Sequence, residues 1–329
     1  MKIGLITPAP PGSRYGNRVT ALRWARILRN LGHRVTVTQS YEGQPFDVMV
    51  ALHARRSHAS IIRFNSERPA SPVILALTGT DLYKDIRSDP DAKESLEIAT
   101  RMIVLQPNGI EELPAHLRDR ARVIYQSVPK FSRKLKPSDS TFDVCVIGHL
   151  REVKDPFRAA EAARLLPAAS RIRIIHVGGA MSEEMAERAR REMEINPRYL
   201  WVDERPRWRV RQILSRSRAL VLSSRMEGGA NVISEAVVAG VPVLSSRIAG
   251  SKGLLGENYP GYFGVGDTRG LARLLEQIES DSKFLADLRS RCSKLAPMFD
   301  PSREERAWAA LLKDSVSAKL WRSRIQEFE

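Results

Sequence analysis

Short apolar runs alternate with longer amphipathic stretches along the chain, and the series starts twice. In the first half, Ile3–Thr7, Arg34–Thr38, Val48–Leu52, Val73–Leu77, Met102–Leu105 and Val123–Tyr125 read as strands. Thr20 to Leu31 has helical spacing and closes on Gly32. The second series predicts strands at Val144–Ile147, Arg171–Val177, Leu220–Ser223 and Val241–Leu244. It predicts helices over Pro156–Leu166, Ser182–Met193, Asn231–Ala239, Leu271–Ile278 and Ser282–Leu295, broken by Pro297 to Pro301. Such βαβα alternation calls for parallel sheets with helices on both faces. From Arg303 to Glu329, the residues Trp308, Leu311, Leu312, Val316, Leu320, Trp321 and Ile325 recur at helical spacing. This stripe reads as a core face in preference to a membrane anchor.

Lys130 to Thr141, rich in Lys, Ser and Pro, reads as a linker. The chain of 329 residues fits two domains of about 150 residues each. They are expected at 1–135, with helix 303–329 packing back on it, and at 136–302. Two doubly wound domains would bind a ligand in a cleft between the carboxyl ends of their strands. Charged residues are 28% and hydrophobic ones 43%, too apolar a balance for disorder. No stretch approaches the roughly 18 apolar residues of a membrane span. The apolar run after Met1 is too short for a signal peptide. Two cysteines, Cys145 and Cys292, make neither a disulfide framework nor a zinc cluster, so a reduced, soluble, cytoplasmic protein is expected.

Lys and Arg number 53 against 38 Asp and Glu, a net charge of +15. That balance suits nucleic acid, anionic lipid or phosphorylated small molecules. The cations are interleaved with acids, as in Glu183 to Arg191, and there is no basic tail or nucleic-acid module. Small phosphorylated ligands are therefore the expected partners, with no nucleic acid and no membrane.

The segment from Ser223 to Ala236 holds the densest chemistry. Glu227 and Glu235 lie eight positions apart, the first at a strand end and the second two turns into a helix. Gly228 and Gly229 allow close backbone approach to a ligand. The N–H groups opening the helix, over Ala230, Asn231 and Val232, favour a phosphate. Glu235 suits a ribose diol. A Gly-rich turn with surface acids is the bland alternative.

This Glu-x7-Glu pattern, followed by Ala236-Val237-Val238-Ala239-Gly240-Val241-Pro242-Val243, resembles the retaining glycosyltransferases of family 4. The resemblance implies an α/β GT-B fold, two Rossmann-like domains facing a central cleft. It implies that Glu235 holds the nucleotide ribose and Glu227 contacts the donor sugar. Val146 to Pro156 resembles the family's strand–Gly–turn–Lys element, whose cations neutralise the donor diphosphate; Gly148 is its glycine and Lys154 its lysine. The arginine expected after the glycine is replaced by His149, with Arg151 two residues on. Ile175 to Gly179 and Gly264 to Asp267 match later turns of the family. Developing charge on a leaving UDP would be stabilised by such cations and amides. No acidic metal cluster is visible, so neither metal nor cofactor is expected.

The first half is expected to hold the acceptor. Gly12, Arg14, Gly16, Asn17 and Arg18 lie in a segment that follows the first strand and opens a helix, without the spacing of a dinucleotide fingerprint. Thr80 and Asp81 follow the fourth strand, where Asp81 could orient a hydroxyl or cap a helix. Pro10 to Ala25, Leu77 to Tyr83 and Gly148 to Pro156 together resemble the selenosugar synthases of selenoneine biosynthesis. That resemblance implies transfer of N-acetylglucosamine from UDP-N-acetylglucosamine to selenophosphate, with loss of UDP and phosphate. Arg14, Asn17 and Arg18 become candidates for holding selenophosphate. Selenophosphate synthetase and the downstream selenoneine synthase become candidates for channelling. A hydroxyl acceptor on an otherwise ordinary family 4 enzyme is the alternative.

Three other features carry less. His53 and His58 have poor ligand spacing on a helix and read as structural or solvent-facing. Cys145 sits in an apolar strand and reads as buried and inert. Trp201 and Trp208 flank Arg205-Pro206-Arg207, where stacking on a base is one reading.

Overall fold

A strand that is apolar at every position needs cover on both faces, and both sheets of the molecule meet that need. The computed structural model describes residues 1–13, 15–131 and 135–326, with side chains up to 319. It divides into two units, Met1–Ser127 with the segment from Pro301 onward, and Val128–Asp300. The first holds β1 (Lys2–Ile6), β2 (Arg34–Thr38), β3 (Val48–Leu52), β4 (Val73–Leu77), β5 (Arg101–Val104) and β6 (Ala121–Val123). Their order is β2-β1-β3-β4-β5-β6, parallel throughout. Central β3 and β4 are buried at every residue, whereas edge strand β2 is not.

The second unit repeats the plan with β7 (Phe142–Ile147), β8 (Ile172–Val177), β9 (Tyr199–Trp201), β10 (Ala219–Leu222), β11 (Val243–Ser246) and β12 (Tyr262–Phe263). Their order is β12-β11-β10-β7-β8-β9, again parallel throughout.

Several elements depart from the pattern-based expectation. The first helix runs Gly16–Asn30, starting before the expected Thr20, with Asn17 and Arg18 in its opening turn. Strand β6 ends at Val123, two residues before the expected limit. Edge strands β9 and β12 were not predicted: three and two residues carry too little alternation to stand out. Helix Arg207–Arg216 hides in a run of arginines, and only Leu214 and Ser215 of it are buried. Upstream of β7, the Arg211 guanidinium donates to the carbonyls of Pro129 and Lys130 and lies 3.8 Å from the Phe131 ring centroid. The start of the predicted linker is thereby fixed to that helix.

The last helix, Pro301–Gln326, packs on the first unit. Trp308, Leu311 and Leu312 are buried there beside Trp24, whose ring meets that of Trp308 edge to face at 5.0 Å. Leu320, Trp321 and Ile325 lie outside the described side chains. Glu304 is buried, with Oε1 accepting from the Trp24 indole at 2.8 Å and Oε2 from the Ser127 amide at 2.8 Å. Arg101 and Arg122 both reach Asp314, whose carboxyl they hold below its ordinary range, chiefly through the Arg101 hydrogen bond.

The Trp308 ring fills the centre of this contact, and its indole nitrogen has no hydrogen-bond partner. Trp308→Ala is expected to destabilise the chain by about 3–5 kcal/mol, and Trp308→Phe by clearly less. Urea unfolding of the full chain measures both.

Candidate active site

Within the second unit, two loops at the carboxyl ends of β7 and β10 are stitched together. The turn after β7 carries Gly148, His149, Arg151 and Lys154. The loop after β10 carries Ser223 to Ala230 and leads into helix Asn231–Ala239. The Ser223 hydroxyl lies 3.1 and 2.8 Å from the carbonyl oxygens of Lys154 and Asp155. Arg225 N–H donates to Val153 O at 2.9 Å. Asp155 takes a left-handed φ of 45°, turning the chain back toward β10.

These bonds bring the two charged candidates into contact: Lys154 Nζ pairs with Glu227 Oε1. Ser224, fully buried, donates to the same carboxylate oxygen at 2.7 Å. Gly250 backs the loop, since a Cβ there would lie 2.0 Å from the Glu227 carbonyl oxygen. Gly148, His149, Lys154, His176, Ser223 and Ser224 line a small pocket at this junction. Arg151 is exposed at the start of the short helical turn Glu152–Lys154.

Helix Asn231–Ala239 opens after Ala230 with no side-chain cap and no acid in its first turn, and closes on Gly240 at φ 74°. The helix has the bounds expected from sequence, Asn231–Ala239, and Glu235 lies in its second turn. Arg207 Nη2 lies 3.6 Å from Glu235 Oε1. Gly228 and Ala230 are buried, and Gly229, Asn231 and Val232 half-buried. Ser223, Ser224, Gly250 and Arg207 were not singled out from sequence. Serine and glycine are too common in turns to signal such contacts.

In the first unit, Gly12 is a left-handed turn residue at φ 79° and Gly16 starts the first helix. Asn17 Oδ1 accepts from the Thr78 hydroxyl at 2.8 Å, joining the opening of the first helix to the end of β4. Arg18 is half-buried, and its Nε has no hydrogen-bond partner. Arg14 lies outside the described residues. Thr80 precedes a π-helical turn, Asp81–Asp85. Asp81 is wholly buried and accepts from the amides of Gly79 at 2.9 Å and Ala54 at 3.1 Å. Its carboxylate ties the turn after β4 to the loop after β3.

Of the remaining candidates, His53, His58, Cys145 and Trp201 are held by burial or hydrogen bonds, whereas Trp208 is exposed. His53, at φ 78°, is buried 3.7 Å from Asp85, and burial pushes its pKa down. His58 lies 3.1 Å from the Ser95 hydroxyl. Burial raises the Cys145 thiol to about 12. The Trp201 indole donates to Gly178 O at 2.8 Å, and Trp208 is 63% exposed. Among the described residues, no group of three His, Cys, Asp or Glu could hold a metal ion, and no helix is long and apolar enough to cross a membrane.

The sequence model described as glycosyl transferases group 1 matches residues 127–297, more than half of the chain. The chain belongs to the glycosyl transferases group 1 family. No curated protein matches its sequence significantly. Among solved structures, HepE from Anabaena, in complex with UDP and glucose, is similar at 16% identity and a TM-score of 0.75, covering 95% of this chain and 99% of that one. Sucrose-phosphate synthase from Thermosynechococcus elongatus is similar at 15% identity and a TM-score of 0.75, covering 96% and 99%. A TarM variant from S. aureus, in complex with Fondaparinux, alpha-GlcNAc-glycerol and UDP, is similar at 14% identity and a TM-score of 0.64, covering 80% and 55%. The two six-stranded parallel sheets are those of the GT-B fold.

In this glycosyltransferase the matched region contains the whole Lys154–Glu227 junction. The junction rests on a close approach of backbones. A Cβ on Gly178 would lie 2.0 Å from the Gly148 carbonyl oxygen, whereas one on Gly179 would meet nothing nearer than 3.6 Å. Gly178→Ala is therefore expected to destabilise the protein by about 1–3 kcal/mol while Gly179→Ala stays near wild type. Thermal denaturation of the two variants checks the contrast.

Proposed function

We propose that the protein transfers N-acetylglucosamine from UDP-N-acetylglucosamine to selenophosphate. The observation that carries the donor half is the junction of Lys154, Glu227 and Ser224 beside the Gly148 turn and the uncapped helix at Asn231. As the anomeric C–O bond breaks, negative charge grows on the leaving UDP. Lys154 and the amides at the helix opening oppose it where it forms. Each charge-assisted hydrogen bond contributes about 1.5–3 kcal/mol, so a few suffice without a metal. Glu227 shares Lys154 in the free protein and meets the sugar hydroxyls in the complex. Glu235, in the helix's second turn, takes the ribose diol. HepE and TarM, both solved with UDP, support UDP as the nucleotide.

The acceptor half is supported by the resemblance of Pro10 to Ala25 and Leu77 to Tyr83 to selenosugar synthases. The unpartnered Nε of Arg18 suits an acceptor that is itself an anion. Selenium forms the C–Se bond with its lone pair, and UDP departs with the electrons of the C–O bond. Water then takes the phosphoryl group, releasing phosphate and the selenol of the sugar.

Incubating the enzyme with UDP-N-acetylglucosamine and freshly made selenophosphate under reducing conditions tests the reaction directly. The expected result is a selenium isotope pattern on an N-acetylhexosamine mass with UDP released. UDP release with no selenium in any product would favour a hydroxyl acceptor, and no turnover of any UDP-sugar would overturn the donor assignment. Glu235→Ala is expected to weaken UDP binding about tenfold or more by calorimetry with the fold intact. Arg18→Ala is expected to raise the KM for selenophosphate by a similar factor, again about tenfold, while UDP affinity holds.

A further inference from the structure

Strand β8 is apolar at its inward positions except for one. His176 is 1% exposed, with Nδ1 3.0 Å from the Tyr199 hydroxyl and Nε2 3.1 Å from the Gly148 carbonyl oxygen. A carbonyl oxygen can only accept, so Nε2 carries the hydrogen and Nδ1 accepts from Tyr199. One donor and one acceptor are what a neutral imidazole offers. Burial keeps it neutral, lowering its pKa to about 4.

The Gly148 amide is held as well, donating to Val177 O at 2.9 Å, and Leu150 N–H donates to Gly179 O at 3.0 Å. The peptide joining Gly148 to His149 is trans, so its N–H points opposite to its C=O. Whatever grips the carbonyl therefore sets the direction of the His149 N–H. A flip of this peptide would present an oxygen where an anion-binding amide is wanted. Tyr199 sits on edge strand β9 and supplies the far end of the relay.

We propose that His176, backed by Tyr199, is a positioning residue of the donor site, locking the Gly148–His149 peptide so that its N–H rather than its C=O faces the diphosphate. The diphosphate rests on the donor reading above. The lock itself does not.

Three variants test it: His176→Gln, His176→Asn and Tyr199→Phe. The Gln amide N–H can reach the place of Nε2–H, whereas Asn reaches only as far as Nδ1. Two readouts are taken on the full chain, UDP affinity by calorimetry and amide hydrogen exchange over residues 148–154. For His176→Asn, about a tenfold loss of UDP affinity and a comparable acceleration of exchange in that turn are expected. His176→Gln is expected to stay within about threefold of wild type, and Tyr199→Phe to fall between the two. Equal behaviour of Asn and Gln in both readouts would overturn the proposal. Failure of wild type to bind UDP, with exchange still separating Asn from Gln, would keep the lock and discard the donor reading. Should neither histidine variant fold, unchanged exchange in Tyr199→Phe would overturn it.

Discussion

The second unit depends on how closely two neighbouring strands can end. Past the last paired residues of β7 and β8, the backbones of Gly148 and Gly178 lie so near that no side chain fits between them. Pairing continues beyond the glycines, with Leu150 bridging to Ala180. This contact sends the chain from β7 directly over the sheet edge, so that Lys154 arrives beside the loop that follows β10. A bulkier residue at 178 would lift that turn, and Lys154 would lose both its carbonyl's bond to Ser223 and its pairing with Glu227. Backbone geometry at one glycine thus reaches a charged pair whose members lie on either side of it in the sequence.

The buried acids show why charge alone does not mark a catalytic group. Asp81 and Glu304 are among the most buried acids, and each has its oxygens satisfied by backbone amides, an indole or a hydroxyl of the same unit. Neutral donors fixed in this way cannot be exchanged without opening the fold, so these carboxylates act as braces. Glu227 is different. Its main partner is a half-exposed ammonium on a flexible stem, which a competing anion can draw away at modest cost.

Much of this was legible in the sequence because strands buried on both faces are unbroken apolar runs, as in Val48–Leu52 and Val73–Leu77. The Glu-x7-Glu spacing and Lys154 stood out only through the resemblance to family 4 enzymes, since glutamate and lysine are common on any surface. What escaped is local. Strand β12 has two residues, and helix Arg207–Arg216 shows little apolar face. Ser224 is one serine among several in a turn, and only its hydrogen bond to Glu227 sets it apart. His176 did leave a trace, a polar residue in the otherwise apolar end of β8, but its partner Tyr199 comes from a strand too short to predict. Asp81 shows the opposite limit. Its position after β4 fits a cap and a catalytic group equally, and its complete burial on two backbone amides is not written in the sequence.

The burial of Asp81 also bears on what kind of acceptor the enzyme would use. A hydroxyl must shed a proton as it attacks, and a carboxylate at a strand end is a natural place to send it. Here that carboxylate is already committed to two backbone amides and is wholly buried. A selenophosphate brings its charge with it and needs holding more than deprotonating. The first helix opens with no acid in its first turn and with Arg18 carrying an unpartnered Nε. Cationic and amide donors of that kind stabilise an incoming anion while leaving its nucleophilic selenium unprotonated. An acceptor side of this kind would give up proton transfer and gain charge binding, which is the physical ground for the anionic nucleophile proposed above.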